Sequence, residues 1–444
     1  MKKRLLSALC AVMLLICTVP MASAQSGDDS RMADALTVLH ILAEEPDRDL
    51  TVLHLLSEDP SRDLTKPATR AQAAVLLVRL AGGEKKPDTD GWFAGFRDVP
   101  DWARTAANYA NRRGWISGVS NVQFDPNGHL NADAWCAMLL RMLGYSDKTG
   151  DFEISDAAAF AWRIGLTGRQ LIGILSMGDL AEAIYDALDF CYKGTETTVL
   201  SRLMDLGVCT ASAANALGLL NKDYTARQLA DRYLSAAFQL SLYETEEQVH
   251  DEVSSADASG FFISADGLAV TNYHSIEDSI KATATLLNGE TYEVERVLYY
   301  DTGIDIAVIK VSRTNQSRRT TSAFNHLDLV GTADIRPGDP VYAIGNPLGL
   351  GLAISSGIIG STAHELDRYA LPCIVNSADI SRGSSGGALM NAHGQVIGVT
   401  SGAYTYGNNM YLAVPVDPVM AADLTVSGWT LKEVKAIEAA KDKD

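Results

Sequence analysis

Residues 382–389 read Arg382-Gly383-Ser384-Ser385-Gly386-Gly387-Ala388-Leu389, a glycine and serine loop that runs into an apolar segment. Glycine on both sides of Ser385 lets the backbone turn sharply. The amides of Gly383 and Ser385, with that of Ser384 between them, can then face one developing negative charge. A serine hydroxyl is a poor nucleophile at neutral pH and needs a neighbouring base and a group that orients the base. The loop therefore predicts a nucleophilic serine wherever the chain supplies those two partners.

Two strings upstream of this loop supply the partners. Thr271-Asn272-Tyr273-His274-Ser275 follows a small-to-apolar segment, and Tyr300-Asp301-Thr302-Gly303-Ile304-Asp305 leads into the apolar run 306–309. Their order along the chain is His, Asp, Ser, which is the order of chymotrypsin-like folds and differs from the serine-first order of α/β-hydrolases. The three strings together predict a triad of His274, Asp305 and Ser385.

The chain around these strings has a β-rich texture beyond residue 257. Short runs rich in β-branched and aromatic residues are divided by Gly, Asn, Asp and Pro, a rhythm that predicts an all-β pair of barrels rather than alternating strands and helices. The predicted strands are 260–264, 268–271, 291–298, 304–311, 340–344, 395–400 and 410–414.

Residues 255–425 resemble the HtrA family of serine proteases, with matching strings at 259–264, 305–310, 343–350 and 412–416. The resemblance implies a chymotrypsin-like double β-barrel, endopeptidase activity on protein or peptide substrates and the possibility of a homo-oligomer. It implies no cofactor and no metal. The expected domain spans residues 253–428 and is followed by a charged tail at 429–444, which leaves no room for the PDZ domain that many members append.

The resemblance also implies a role for each member of the triad. His274 would act as general base and then acid, Asp305 would fix its tautomer, and Ser385 would form the acyl-enzyme. Ser384 stands where the family mostly has Asn and is the rival nucleophile, one residue early in the loop. Asp301 is the rival acid, although it precedes the apolar strand instead of starting it.

Primary specificity has two open interpretations. Asp379 lies six residues before Ser385, where a carboxylate in trypsin-like enzymes selects Arg or Lys. HtrA members carry a small residue there and prefer small aliphatic side chains. Ile380 and the segment Val399-Thr400-Ser401 resemble the HtrA pocket walls, and so favour small aliphatic residues.

The N-terminus has the order of a secretory signal. Lys2-Lys3-Arg4 is followed by an apolar run at 5–19 and by Ala22-Ser23-Ala24, which predicts cleavage after residue 24. An uncleaved membrane anchor is the alternative, but the apolar run is shorter than the roughly 20 residues that a spanning helix needs. We expect a bacterial protein that is exported and then released, or held at the cell surface or cell wall.

The segment 25–220 is expected to be helical. LTVLHILAEEPDRD at 36–49 is repeated almost exactly at 50–63, which predicts a pair of short helices within 25–64. From 65 to 220, apolar residues recur at three- and four-residue spacing and predict an all-α region. Similar spacing within 221–252 predicts a connecting helix.

Three strings in the helical region, Phe96-Arg97-Asp98-Val99-Pro100, Gly114-Trp115-Ile116-Ser117-Gly118 and Phe124-Asp125-Pro126-Asn127-Gly128, resemble an S-layer homology module. The match is clearest at 91–145. In that family an Arg and a Glu at the start of a helix grip cell-wall polysaccharide. Here Arg70 and Gln72 occupy those positions in one copy, and the other copies lack the charges, so the resemblance implies the fold more strongly than wall binding.

Composition excludes several classes of protein. The 444 residues are 47% hydrophobic and 21% charged, as in globular proteins, and the formal charge of −18 argues against nucleic acid as a partner. Loss of the basic signal would make the mature chain more negative still. Its four cysteines at positions 136, 191, 209 and 373 could pair after export or remain buried thiols, and no Cys-x-x-Cys spacing suggests zinc.

Overall fold

The computed structural model describes residues 64–83, 94–195, 197–216, 219–220, 222–403 and 409–441. The predicted signal at 1–24 and all but the last residue of the duplicated segment at 25–64 lie outside these residues. The chain divides into two compact units. The first comprises residues 1–130, 174–189 and 199–217, and the second comprises residues 131–173, 190–198 and 218–444.

The described part of the first unit is helical, as the spacing of apolar residues predicts. Two of its helices begin at polar caps: the Thr69 hydroxyl accepts from the amide of Gln72, and the Ser176 hydroxyl accepts from that of Asp179. The buried faces are made largely of alanine and leucine. The helices are α1 (Arg70–Leu80), α2 (Asp101–Arg112), α5 (Met177–Ala187), α6 (Val199–Asp205) and α7 (Ala211–Ala216).

The second unit contains part of the region 65–220, for which S-layer homology-like helical modules are predicted. Helices α3 (Ala132–Met142) and α4 (Ala157–Arg163) belong to it. The segment containing them is bonded to the β-rich part, because the Ser322 hydroxyl donates to Asp151 O at 3.0 Å. Gly165, just after α4, lies so close to Asn325 that a Cβ there would be 2.3 Å from its side-chain oxygen. Within the described residues, no helix is long and apolar enough to cross a lipid bilayer.

The first six strands close into a β-barrel in the order β1-β2-β3-β6-β5-β4. Strand β1 occupies 237–243, where a connecting helix is predicted, and the helix before it, α8, covers only Ala226–Tyr233. The error has a physical cause: Phe238 and Leu242 lie four apart, and that spacing also fits the inward face of a strand. The strands are β1 (Ala237–Tyr243), β2 (Ala256–Phe262), β3 (Leu268–Thr271), β4 (Lys281–Leu286), β5 (Thr291–Asp301) and β6 (Ile306–Asn315).

The next six strands close into a second barrel in the order β10-β11-β12-β9-β8-β7, so the predicted all-β double barrel is confirmed. The sequence did not predict β8, β9 or β10, which are interrupted by glycine, lie next to loops or are very short. The strands are β7 (Pro340–Gly345), β8 (Ala353–His364), β9 (Cys373–Asn376), β10 (Ala388–Met390), β11 (Val396–Ala403) and β12 (Tyr411–Pro415). Short helices at α9 (Glu246–Asp251), α10 (Tyr273–Ile276) and α11 (Asp417–Ala421) lie between and after the strands.

Three of the four mature cysteines are free thiols in buried positions: Cys136, Cys209 and Cys373. Burial raises the pKa of all three thiols, to about 12 for Cys136 and about 11 for Cys373. A thiol kept protonated in an apolar setting is chemically inert. These three residues are therefore structural.

The charged C-terminal segment is part of the first barrel and not a tail. Trp429 forms an antiparallel bridge with Val297, and helix α12 (Leu431–Lys441) follows it. Leu431 and Val434 are buried in the apolar core of the first barrel. The prediction of a tail was wrong because it weighed the many charges and overlooked an apolar pair at helical spacing.

We predict that Leu431→Ala destabilises the barrel by about 2–5 kcal/mol, because it removes a buried leucine side chain and leaves a cavity. Lys432→Ala changes an exposed neighbour and should cost less than about 1 kcal/mol. Denaturant unfolding of the two variants measures the difference. Equal stabilities would contradict the packing of α12 on the barrel.

Candidate active site

The structure brings His274 and Asp305 together as the triad prediction requires. The four-residue helix α10 presents His274, whose Nδ1 lies 2.7 Å from Asp305 Oδ2 and 2.9 Å from Oδ1. The backbone amide of His274 also donates to Asp305 Oδ1 at 2.9 Å. These contacts fix the ring and direct its other nitrogen away from the carboxylate, which is the arrangement that a general base needs.

Asp305 is held in an uncommon backbone conformation. Its φ of 68° lies in the left-handed region, which costs a non-glycine residue about 1–3 kcal/mol. Its amide donates to Asp301 O at 3.0 Å, and its carbonyl accepts from Asn272 Nδ2 at 2.9 Å. The rival Asp301 uses its carboxylate to accept from the amides of Gly303 and Ile304, so it forms the turn that places Asp305.

At two positions of the loop before β10, Gly383 and Gly386, the backbone has no space for a side chain. Gly383 has a φ of 91° and Gly386 a φ of 85°. A Cβ at Gly383 would lie 2.5 Å from Asn346 O, and one at Gly386 would lie 2.2 Å from Ser259 O. Both distances are shorter than any real contact of a Cβ, so this backbone, and with it the position of Ser385, requires glycine.

The peptide before Gly383 is oriented by its carbonyl. Arg382 O accepts from Leu348 N at 2.6 Å, and the N–H of a trans peptide points opposite to its C=O. Within the described residues, neither the Gly383 amide nor the Ser385 amide donates to a protein acceptor. Both amides are therefore available to an external oxyanion.

The structure excludes Ser384 from that group of donors. Its amide donates to Ser381 O at 2.9 Å, and its hydroxyl accepts from Ser381 N at 3.4 Å. Ser384 is also buried, with 4% of its surface exposed. The expectation that Ser384 contributes to an oxyanion hole is therefore wrong, since this amide already has a partner.

The Ser385 hydroxyl donates to Ser401 O at 3.2 Å. Among the described residues this is its only hydrogen bond, and none joins it to the His274 ring. His274 and Asp305 are thus in contact, while the Ser385 hydroxyl is hydrogen-bonded to a different acceptor.

Ser259 on β2 joins the loop of the second barrel to the first barrel. Its amide donates to Ser385 O at 2.8 Å, and its hydroxyl donates to Gly383 O at 2.7 Å while accepting from Asn346 N at 2.8 Å. Ser259 is fully buried. The sequence string 259–264 contains this residue, but its role depends on contacts across more than 120 residues of chain and could not be predicted from the string.

Two of the predicted pocket residues, Asp379 and Ile380, precede the serine loop. The Asp379 side chain is exposed, and interaction with its carboxylate, together with burial, raises the pKa of Tyr411. Ile380 is half-buried and packs against the core of the second barrel. Tyr411 was not predicted, because it is some thirty residues away in sequence.

The other three predicted pocket residues are buried and contact the core or the residues of the predicted triad. Val399 is fully buried in an apolar cluster that contains residues from strands of both barrels. The Thr400 hydroxyl donates to Ser384 O at 2.7 Å and supports the nucleophile loop. The Ser401 hydroxyl donates to Asp305 Oδ2 at 2.7 Å and so orients the triad.

Tyr369 is a further residue of the site that the sequence did not reveal. Its hydroxyl lies 2.9 Å from the Ser401 hydroxyl, which in turn donates to Asp305. Tyr369 is buried, and burial raises its pKa. The chain of hydroxyls ties the loop between β8 and β9 to the triad.

The barrels are similar to known peptidases. Residues 258–399 match the family described as the trypsin-like peptidase domain. A probable periplasmic serine endoprotease, DegP-like, from Halomonas elongata is 35% identical over 177 residues, which cover 39% of this chain and 35% of the relative. Serine protease HTRA2, mitochondrial, from Bos taurus is 36% identical over 171 residues, covering 37% and 35%.

The chain is similar over a longer stretch to serine protease HTRA1A of Danio rerio. The two are 31% identical over 219 residues, which cover 48% of this chain and 44% of the relative. The solved HtrA-type protease AlgW with tripeptide matches 44% of this chain and 62% of that one, at 24% identity and a TM-score of 0.38. The chain therefore spans less than half the length of the curated relatives it matches. The curated relatives that match this region are named as serine proteases or a serine endoprotease.

The two residues expected to contact wall glycan lie in the first unit and are engaged there. Arg70 Nε donates to Phe124 O at 2.9 Å, its Nη2 donates to Ser117 O at 2.7 Å, and the guanidinium stacks on the Phe124 ring. The Gln72 side chain accepts from Thr69 N at 2.8 Å. Both side chains thus have structural roles within this unit.

We predict that Tyr369→Phe lowers kcat of the peptidase about two- to tenfold and leaves KM unchanged, because it removes one hydrogen bond from the group that orients Asp305. The half-buried Tyr342, whose hydroxyl has no hydrogen-bond partner among the described residues, provides the control Tyr342→Phe. Steady-state kinetics on a peptide substrate measures both. An equal response of the two variants, or an effect on KM alone, would contradict the positioning role.

Proposed function

We propose that this protein is an exported serine endopeptidase that hydrolyses peptide bonds through His274, Asp305 and Ser385. The observation that carries the proposal is the bonded His274–Asp305 pair beside a glycine-shaped serine loop in a trypsin-like peptidase domain. His274 takes the proton of the Ser385 hydroxyl as that oxygen attacks the peptide carbonyl, and then gives the proton to the leaving amine. Water hydrolyses the resulting ester with the same histidine as base.

The oxyanion of each tetrahedral intermediate is bound by two amides, those of Gly383 and Ser385. Both are without a protein acceptor within the described chain, and the carbonyl of Arg382 is held away from them by Leu348 N. Removing one such donor in an enzyme of this type typically costs about 100- to 1000-fold in rate. The backbone around Ser259 and Gly383 therefore contributes as directly as the triad.

The second candidate is a catalytically silent binding protein. It is favoured by one observation, the hydrogen bond from the Ser385 hydroxyl to Ser401 O in place of one to His274. Turnover requires the hydroxyl to exchange that acceptor for the His274 ring. We prefer an active peptidase to a silent binding protein because every member of the triad is present and the His274–Asp305 contact is complete.

The nucleophile is tested by Ser385→Ala, which should lower hydrolysis of an unfolded protein such as casein by about three orders of magnitude or more. Ser384→Ala is the matched control, because Ser384 lies next to Ser385 in the same loop and its hydroxyl has only one long hydrogen bond. Its activity should stay within a few-fold of the unaltered protein. Activity that survives in Ser385→Ala would contradict the assignment.

We propose a preference for small aliphatic residues before the scissile bond. The Asp379 carboxylate, which would otherwise select Arg or Lys, is exposed to solvent. A solvated carboxylate attracts a substrate cation less strongly than one in a shielded pocket of low dielectric constant. The exposure of Asp379 therefore supports the preference for small aliphatic residues.

We predict that Tyr411→Phe, which removes the hydroxyl that interacts with the Asp379 carboxylate, raises the kcat/KM for Lys and Arg substrates several-fold relative to those with Ala or Val. The double variant Tyr411→Phe with Asp379→Asn should lose that gain. A panel of peptides that differ only in the residue before the scissile bond measures the ratio. A strong Arg/Lys preference in the unaltered protein would overturn the proposal.

Export and attachment complete the proposal. The order of basic, apolar and small residues at 1–24 supports export, as does a relative described as periplasmic. Retention at the wall rests on the resemblance of 65–220 to S-layer homology modules. Because Arg70 and Gln72 are engaged within the first unit, glycan contact through these two side chains is not part of the proposal. Co-sedimentation of the mature chain with purified wall polysaccharide tests retention at the wall. A chain that stays in the supernatant would contradict retention.

A further inference from the structure

The guanidinium of Arg163, at the end of α4, lies over the Phe160 ring at 5.2 Å and near Glu290, but it has no hydrogen-bond acceptor among the described residues. Its side chain is 19% exposed, and its Nε is shielded from solvent with no hydrogen-bond partner. Within the described residues, none of its five N–H groups donates to any acceptor within hydrogen-bond distance. Buried donors in native proteins are nearly always satisfied, so an unsatisfied guanidinium requires an explanation.

The acidic neighbours of Arg163 do not supply one. Glu290 Oε2 lies 3.8 Å from Nη1, which is beyond hydrogen-bond distance. That oxygen already accepts from Asn288 at 3.1 Å and from the Tyr292 hydroxyl at 2.9 Å. The Asp156 carboxylate feels the charge of Arg163 but forms no hydrogen bond with it, and burial raises the pKa of Asp156. The guanidinium is thus electrostatically balanced yet still has N–H groups to offer.

Arg163 lines a cleft within the second unit, between α4 and the turn that joins β4 to β5. The cleft has a volume of about 80 Å³, several times the roughly 10–15 Å³ that one water molecule needs. Its lining is mainly apolar and includes two amide side chains. The lining residues used here are Trp162, Arg163, Gln170, Leu286, Leu287 and Asn288.

We propose that this cleft binds an apolar carboxylate, with the Arg163 guanidinium as the anion site and the indole and leucine side chains as the seat for the apolar group. A planar guanidinium offers two parallel N–H groups to the two oxygens of a carboxylate, a geometry that no single hydroxyl or amide matches. The Gln170 side chain, exposed and without a hydrogen bond in the described chain, is placed to add a further contact.

One source of such a carboxylate is the reaction proposed above. Hydrolysis adds water across the peptide C–N bond, so each cut leaves one fragment with a new C-terminal carboxylate and another with a new amine. The preference for aliphatic residues before the cut gives that carboxylate an apolar neighbour. This source depends on the proposed function, whereas the binding site does not. A free acyl amino acid carries the same chemistry.

Binding is measured by isothermal titration calorimetry on the full mature chain carrying Ser385→Ala, so that no ligand is consumed. The probes are acetyl-Ala-Ala-Leu as the free acid, the same peptide as its C-terminal amide, and acetyl-leucine. We expect the acid to bind and the amide to bind at least tenfold more weakly. Similar affinities for the tripeptide acid and acetyl-leucine would show that the cleft contacts only the last residue. A higher affinity for the tripeptide acid would identify peptide ends as the ligand.

Two variants place the site. Arg163→Gln should weaken binding of the acid at least tenfold. Arg319 is an exposed arginine that follows β6 of the first barrel, and Arg319→Gln should leave the binding unchanged. Leu287→Glu, at an exposed position on the lip of the cleft, should weaken it similarly by charge repulsion and does not disturb the core. Absence of binding to the parent, or binding unaffected by Arg163→Gln and Leu287→Glu, would overturn the proposal. The latter result would place the ligand elsewhere, for example in the catalytic cleft.

Discussion

The buried hydroxyl of Ser259 is the contact on which the geometry of the site depends. It joins Gly383 O to Asn346 N, and the amide of the same residue holds Ser385 O. One small side chain on β2 therefore connects a strand of the first barrel to two loops of the second. Because these groups are buried, each would cost about 1–3 kcal/mol if left without a partner. The serine loop is consequently fixed with respect to the barrel that carries the histidine and the aspartate.

A second set of contacts fixes the charged members of the site. Asp305 adopts a left-handed backbone that is held by Asp301 and Asn272, and its carboxylate accepts from His274 and Ser401. Tyr369 extends this network toward the loop between β8 and β9. Backbone strain of this kind persists only where the surroundings enforce it, and it is concentrated at functional sites. The two networks together leave the Ser385 side chain as the group that must move for catalysis.

The double barrel and the contact between His274 and Asp305 could be predicted because their signals are local. Each signal lies within a short stretch of sequence: glycines around Ser385, an apolar run after Asp305, and short strands separated by turns. Residues such as Ser401 and Tyr369 could not be assigned, since their roles depend on contacts between strands that are far apart in sequence. Strand β1 and helix α12 were misassigned for a related reason: an apolar spacing of three or four residues fits more than one structure until its packing partner is known.

The central claim is that Ser385 is an activated nucleophile, and covalent labelling with a fluorophosphonate probe tests it most directly. The account predicts that the purified mature protein is labelled, that mass spectrometry locates the adduct on Ser385, and that Ser385→Ala and His274→Ala are not labelled. An unlabelled native protein, or an adduct on Ser384, would contradict it.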